Sequence, residues 1–153
     1  MKLRIEIDDS LEEEEILIRC RELSPNIKEM KEYLYRILSK KECIAFYKGD
    51  TRIYLPLEEV LFFETDQKGV FAHSIDDSYE IHNRLYELEE LLPIYFIRIS
   101  KSTILNAKKI FSIEKNLYSS STICFRNTHK QVFVSRHYYK FLIEKLDEIR
   151  QEK

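Results

Sequence analysis

CIAFYKGDTRIYLPLEEVLFFETDQKGVFAHS, residues 43–74, decides the fold class. Short apolar and aromatic runs recur between turn residues at intervals too close for helices, which is the pattern of small antiparallel strands. CIAFYKGDTRIYLPL reads as a hairpin around Lys48-Gly49-Asp50. VLFFETDQKGVFAHS reads as a second, turning at Asp66-Gln67-Lys68-Gly69.

Downstream the strands continue. YEIHN predicts another, followed by a short helix from Arg84 to Leu92 with Leu85, Leu88, Leu91 and Leu92 inward and Pro93 as its stop. Tyr95–Ile99 and Ile110–Lys115 read as strands, and SSTICFR with KQVFVS as a hairpin around Asn127-Thr128-His129. Ser135 is placed to cap a last helix running through Leu146, with Tyr138, Phe141, Leu142 and Lys145 along it. Upstream, KLRIEID alternates apolar and charged residues and predicts a strand. ILIRCREL fits a second strand or a helix begun at Ser10, and periodicity does not choose between them. Ser24-Pro25 supplies an N-cap and a first-turn proline, and Ile27, Met30, Leu34, Ile37 and Leu38 then form one helical face that ends near Ser39-Lys40-Lys41. The expected organisation is a β/α extension over residues 1–42 and a mainly β module with short helices, an α+β arrangement, over residues 43–153.

Composition agrees with a folded domain plus a short extension. Of the 153 residues 44% are apolar and 12% aromatic, with only two Gly and three Pro, so a core can form and linkers are few. No run reaches the roughly eighteen apolar residues of a membrane span. The N-terminus, MKLRIEIDDSLEEEE, turns acidic where a signal peptide needs an apolar stretch, which predicts a cytoplasmic protein. Cys20, Cys43 and Cys124 lie far apart in apolar runs, as reduced packed thiols do.

The net charge of −2 conceals a strong asymmetry. Residues 46–95 carry four cations against eleven acids, whereas residues 96–153 carry twelve against five. FIRISKSTILNAKK, residues 96–109, concentrates it: Arg98, Lys101, Lys108 and Lys109, with Ser100, Ser102 and Thr103, and no acid. Segregated charge of this sign predicts a polyanionic partner, although a solvated basic edge would produce the same count.

Catalytic signatures are lacking. Two glycines cannot build a nucleotide-binding loop, and His73, His82, His129 and His137 have no metal-ligand spacing. Glu64 after Phe62-Phe63 is a lone acid without a catalytic partner in sequence. No enzyme and no cofactor is expected. Nucleic-acid binding has more support, because phosphate contacts use Lys and Arg assisted by Ser, Thr and Asn, and base edges are read by Arg, Lys, Asn or Gln. Candidates fall in three places: Gln67-Lys68, Arg98 to Ser102, and Arg136-His137.

Three ordered motifs add to this. Leu55-Pro56-Leu57 with Glu64, then Phe96 to Asn106, then Val134-Ser135-Arg136 resemble, in type and spacing, the LytTR-type DNA-binding domain of bacterial transcription regulators, over roughly residues 43–150. The resemblance implies elongated antiparallel sheets with short helices, and sequence-specific binding of double-stranded DNA by loops entering successive major grooves. The first loop would hold Gln67, Lys68 and Gly69; the second Arg98, Ser100, Lys101 and Ser102; the third Ser135, Arg136, His137 and Tyr138. Lys101 and Arg136 would read bases, Lys108 would meet phosphate, and Asn106 would hold a turn. Many relatives have His-Arg where this chain has Ser100-Lys101, so its preferred bases would differ. About 42 residues precede the module, too few for a phosphoacceptor receiver, which points to a stand-alone regulator. The family further implies promoter direct repeats bound by a homodimer and, for some members, a small membrane-protein inhibitor. The extension would then serve dimerisation or regulation, or simply pack on the module. Rival expectations are a protein-interaction module that antagonises another regulator, and a small enzyme pairing Glu64 with a histidine.

Overall fold

The computed structural model describes residues 2, 4–12, 15–38 and 44–151. The chain divides into two compact units, Met1–Leu38 and Ser39–Lys153.

Among the described residues of the first unit one regular element forms, helix α1 (Pro25–Leu38). Ser24 starts it: its Oγ accepts from the Ile27 amide at 3.4 Å and its carbonyl from the Lys28 amide at 3.0 Å. Neither the strand expected over KLRIEID nor the strand or helix left open for ILIRCREL forms in the described residues. The Asp8 carboxylate accepts from the Ser10 amide at 2.9 Å and so turns the chain at the end of KLRIEID. A strand is stable only when a neighbour takes its backbone groups and one face is covered. Among the described residues Ile5 and Ile7 are 82% and 91% exposed, so the apolar face of that alternation is not covered there. Cys20 is consequently exposed rather than packed, Cys124 is half-buried, and both are free thiols. Cys43 and the expected end of α1 at Ser39-Lys40-Lys41 lie outside the described residues.

The second unit is antiparallel β. Its larger sheet contains β1 (Phe46–Lys48), β2 (Thr51–Ile53), β3 (Phe62–Asp66), β4 (Gly69–His73), β5 (Ser78–Ile81), β6 (Phe96–Arg98) and β7 (Thr103–Asn106), in the spatial order β2-β1-β5-β4-β3-β7-β6. The smaller sheet is β10-β9-β8, from β8 (Ile110–Glu114), β9 (Ser121–Phe125) and β10 (Gln131–Val134). Helix α2 (Leu85–Leu91) lies between β5 and β6, and α3 (Arg136–Gln151) follows β10. Turn chemistry sets the hairpins: Gly49 at φ +60° and Gly69 at φ +142° adopt backbone that a side chain would strain, and Asn127 at φ +59° opens the β9–β10 turn. Among the described residues no helix is long and apolar enough to cross a membrane.

Two cores lie on opposite faces of the larger sheet. Phe62 and Leu105, directly opposed on β3 and β7, join Ile123, Val134 and Leu142 in a core shared with the small sheet and α3. Phe63 and Ile104, the next opposed pair, join Val70, Leu85 and Leu88 in a core closed by α2. Strand β7 was not legible as a strand: with both faces covered, its four residues are all buried and show no alternation. In α3 the sequence order is kept, with Leu142 and Leu146 buried while Phe141 stays exposed.

Asn106 closes this architecture at the end of β7. Its Nδ2 donates to the Val60 carbonyl at 2.8 Å, its Oδ1 accepts from the Lys108 amide at 3.1 Å, and its own amide donates to the Leu61 carbonyl at 2.8 Å. Asn106→Ala leaves the buried Val60 carbonyl unsatisfied and should cost about 2–3 kcal/mol of stability in urea denaturation.

Candidate nucleic-acid interface

The three segments singled out in the sequence meet through backbone hydrogen bonds. The Thr65 amide, one residue from the β3–β4 turn, donates to the Ser102 carbonyl at 2.8 Å. The Ser135 amide, at the β10–α3 junction, donates to the Ile99 carbonyl at 3.1 Å. Loops separated by more than thirty residues in sequence therefore share one rim, an adjacency that no periodicity could reveal.

Each loop is shaped locally. In the first, the Asp66 carboxylate accepts from the Lys68 amide at 2.6 Å and the Gly69 amide at 3.2 Å, which holds the turn and leaves the Gln67 and Lys68 side chains exposed. In the second, the Ile99 amide donates to the Thr103 carbonyl at 3.0 Å, closing a tight β6–β7 connection through Ser100, Lys101 and Ser102. The Ser102 amide donates to Ser100 Oγ at 3.2 Å, and Lys101 is exposed. Arg98 lies beneath: Nε donates to the Ser100 carbonyl at 2.6 Å, Nη2 donates to the Lys101 carbonyl, and Nη1 faces Glu89 Oε2 at 3.3 Å. Its guanidinium is committed to the protein, a role that the sequence did not signal.

The third loop opens α3. The Ser135 carbonyl accepts from the Tyr138 and Tyr139 amides at 3.1 and 3.0 Å, while Ser135 Oγ is buried without a partner. Ser135 thus begins the helix through its backbone, and the side-chain cap expected from sequence does not form. With the Tyr138 and Tyr139 amides taken by Ser135, the Arg136 and His137 amides at the helix start have no acceptor within the helix, which favours anions there, beside the exposed Arg136 and His137 side chains. His137 meets the Tyr138 ring edge-on at 5.2 Å. Lys108 stands apart: it follows the far end of β7, about 13 Å from the second loop at strand rise, with Nζ 4.2 Å above the Tyr95 ring.

Residues 50–147 match the family model of the LytTr DNA-binding domain. The chain belongs to the LytTR DNA-binding domain family. It is similar over 149 residues, at 28% identity and covering 95% of this chain and 98% of the relative, to a protein of Staphylococcus aureus strain NCTC 8325 described as an uncharacterized HTH-type transcriptional regulator. A protein of strain MSSA476 with the same description is 32% identical over 112 residues, covering 71% of this chain and 74% of the relative. Among solved structures, the LytTr DNA-binding domain of a Bacillus cereus protein described as a methyl-accepting/DNA response regulator superposes with a TM-score of 0.61 at 26% identity, covering 69% of this chain and 97% of that one.

On strands β3 and β4 of this LytTR domain, Glu64 and His73 do come together, with Oε2 and Nε2 3.6 Å apart. Burial pushes the Glu64 carboxyl up, and the nearby Asp66 adds to this. Burial, with the Lys130 charge second, pushes His73 down to about 4, so at neutral pH the imidazole is uncharged and the contact is not an ion pair. Phe62 stacks on that imidazole at 4.3 Å. Lys130 itself is tied down, donating to the Ser74 and Asp77 carbonyls at 2.8 and 2.6 Å. The cluster reads as packing at the join of the two sheets.

A histidine whose pKa falls on folding favours the unprotonated state, so its stabilisation is complete above the unfolded value near 6.5 and is lost as pH drops toward about 4. Between pH 7 and 4 the unfolding free energy should fall by up to ~3 kcal/mol through this group. Denaturation curves of His73→Phe against the parent chain, collected across that range, should show a shallower loss.

Proposed function

We propose that this chain is a cytoplasmic, non-catalytic transcription regulator that binds double-stranded DNA in a sequence-specific way, with its three rim loops seated in successive major grooves. The observation that carries the reading is the convergence of the 67–69, 100–102 and 135–138 loops through the Thr65–Ser102 and Ser135–Ile99 backbone bonds. Gln67, Lys68, Lys101 and Arg136 offer exposed side chains there, with Ser100, Ser102, Ser135, His137 and Tyr138 around them. Among the described residues Lys101 and Arg136 have no ion-pair partner, so their charge is available to an anion without first breaking a contact.

Loops rather than a recognition helix suit this architecture. Helices α2 and α3 are separated by the five strands β6 to β10 and form no helix-turn-helix pair. In this reading Lys101 and Arg136 reach base edges, while Lys108 and the first amides of α3 meet phosphates. Two copies would occupy paired direct repeats, with residues 1–42 serving dimerisation or regulation, and a small membrane protein is the kind of inhibitor that family membership brings into view.

Fluorescence anisotropy against genomic fragments, including the chain's own promoter, tests the reading. With roughly six phosphates neutralised, log affinity should fall against log salt with a slope near −5. Absent or salt-independent binding overturns it. Arg136→Ala should flatten sequence preference, costing about 1–3 kcal/mol on the preferred site, whereas Lys108→Ala should weaken all sequences evenly.

A further inference from the structure

Arg98 is the one basic residue of the second loop whose guanidinium faces inward on three partners. Nε and Nη2 hold the consecutive carbonyls of Ser100 and Lys101, and Nη1 pairs with Glu89 of α2 at 3.3 Å. Its side chain is 20% exposed, that of Glu89 43%. A guanidinium is a planar fork that can serve three acceptors in fixed directions, which an ammonium on a flexible stem does not reproduce.

The consequence follows from peptide geometry. In a trans peptide the carbonyl and the following amide point to opposite sides. Drawing the Ser100 carbonyl onto Arg98 therefore turns the Lys101 amide away from it, toward the exposed side of the loop. Two carbonyls that would repel phosphate are withdrawn, and the loop presents the Lys101 amide together with the Lys101 side chain. Ser102 completes the shape by donating its amide to Ser100 Oγ at 3.2 Å. From this geometry we infer that Arg98 is a positioning residue, anchored by Glu89, that sets the conformation in which the 100–102 loop meets DNA; α2 thereby acts on the interface without touching it. The DNA part of this inference rests on the function proposed above.

Two conservative variants separate positioning from direct contact. A phosphate-contacting Arg98 would be replaced well by lysine, and removing its competitor Glu89 would raise affinity. Under positioning both signs reverse. Arg98→Lys should weaken the preferred site about tenfold, through loss of charge-assisted hydrogen bonds, while binding to unrelated DNA is retained. Glu89→Gln should weaken the preferred site roughly threefold, as expected for a half-exposed pair. Wild-type affinity in Arg98→Lys, or tighter binding in Glu89→Gln, overturns the inference. Hydrogen exchange on the DNA-free chain gives a second readout: Arg98→Lys should speed exchange at the Ile99 and Ser102 amides and leave β9 and β10 unchanged. Unchanged exchange at both amides also overturns it. If the parent chain binds no DNA, the proposed function falls, and the exchange result alone decides whether Arg98 sets the loop.

Discussion

The pairing of β3 with β7 is the constraint on which the rest of the module depends. Successive residues on these strands serve different cores: Phe62 and Leu105 face the small sheet and α3, Phe63 and Ile104 face α2. A slip of one residue would exchange the two faces and set each side chain into the wrong core. Register is therefore fixed from both sides. At one end the fixed register delivers Thr65 to Ser102, which brings the first two loops together. At the other it delivers Asn106 to Val60, where the amide side chain closes the sheet. The loops inherit their positions from a doubly buried pair of strands, so the placement of the candidate interface follows from packing that lies behind it.

That same double burial explains what could be read from the sequence. Hairpins announced by turn residues were legible: Lys48-Gly49-Asp50 and Asp66-Gln67-Lys68-Gly69 stand between strands as their chemistry demands. Helix α1 was legible from Ser24-Pro25, and α2 from its leucines and Pro93. Strand β7 was not, because Thr103–Asn106 is buried on every side and has no period to detect. The early alternation of KLRIEID had the opposite fault, a strand pattern that forms no strand in the described residues. Local pattern encodes which face a segment could bury; whether anything covers that face is a tertiary fact.

For the candidate site, residue types were legible and roles were not. Gln67, Lys68, Lys101 and Arg136 are exposed, a condition that the proposed contacts require. Arg98 and Lys130 belong to the same basic count, yet both spend their donors on backbone carbonyls, at Ser100 and Lys101 in one case and at Ser74 and Asp77 in the other. Long cations are efficient at this work, since one side chain can satisfy several acceptors that strands leave unpaired at their ends. Nothing in the local sequence distinguishes such a cation from one held out to solvent.

The charge asymmetry therefore has two physical origins rather than one. Part of the positive charge in residues 96–153 stabilises the module itself: Lys130 clamps the β9–β10 hairpin onto the β4–β5 turn, and Arg98 sets the second loop against the acidic helix α2. The Arg98–Glu89 pair also neutralises one acid of residues 46–95, whereas Lys130 spends its donors on neutral carbonyls. What remains uncompensated is smaller than the sequence total, and it includes Lys101 and Arg136 on the rim. A polyanion approaching the molecule responds to that residue of charge and not to the count. The number of salt-sensitive contacts should accordingly track the exposed rim cations, and the acids left on α2 and the sheet edges would favour an approach with the rim forward.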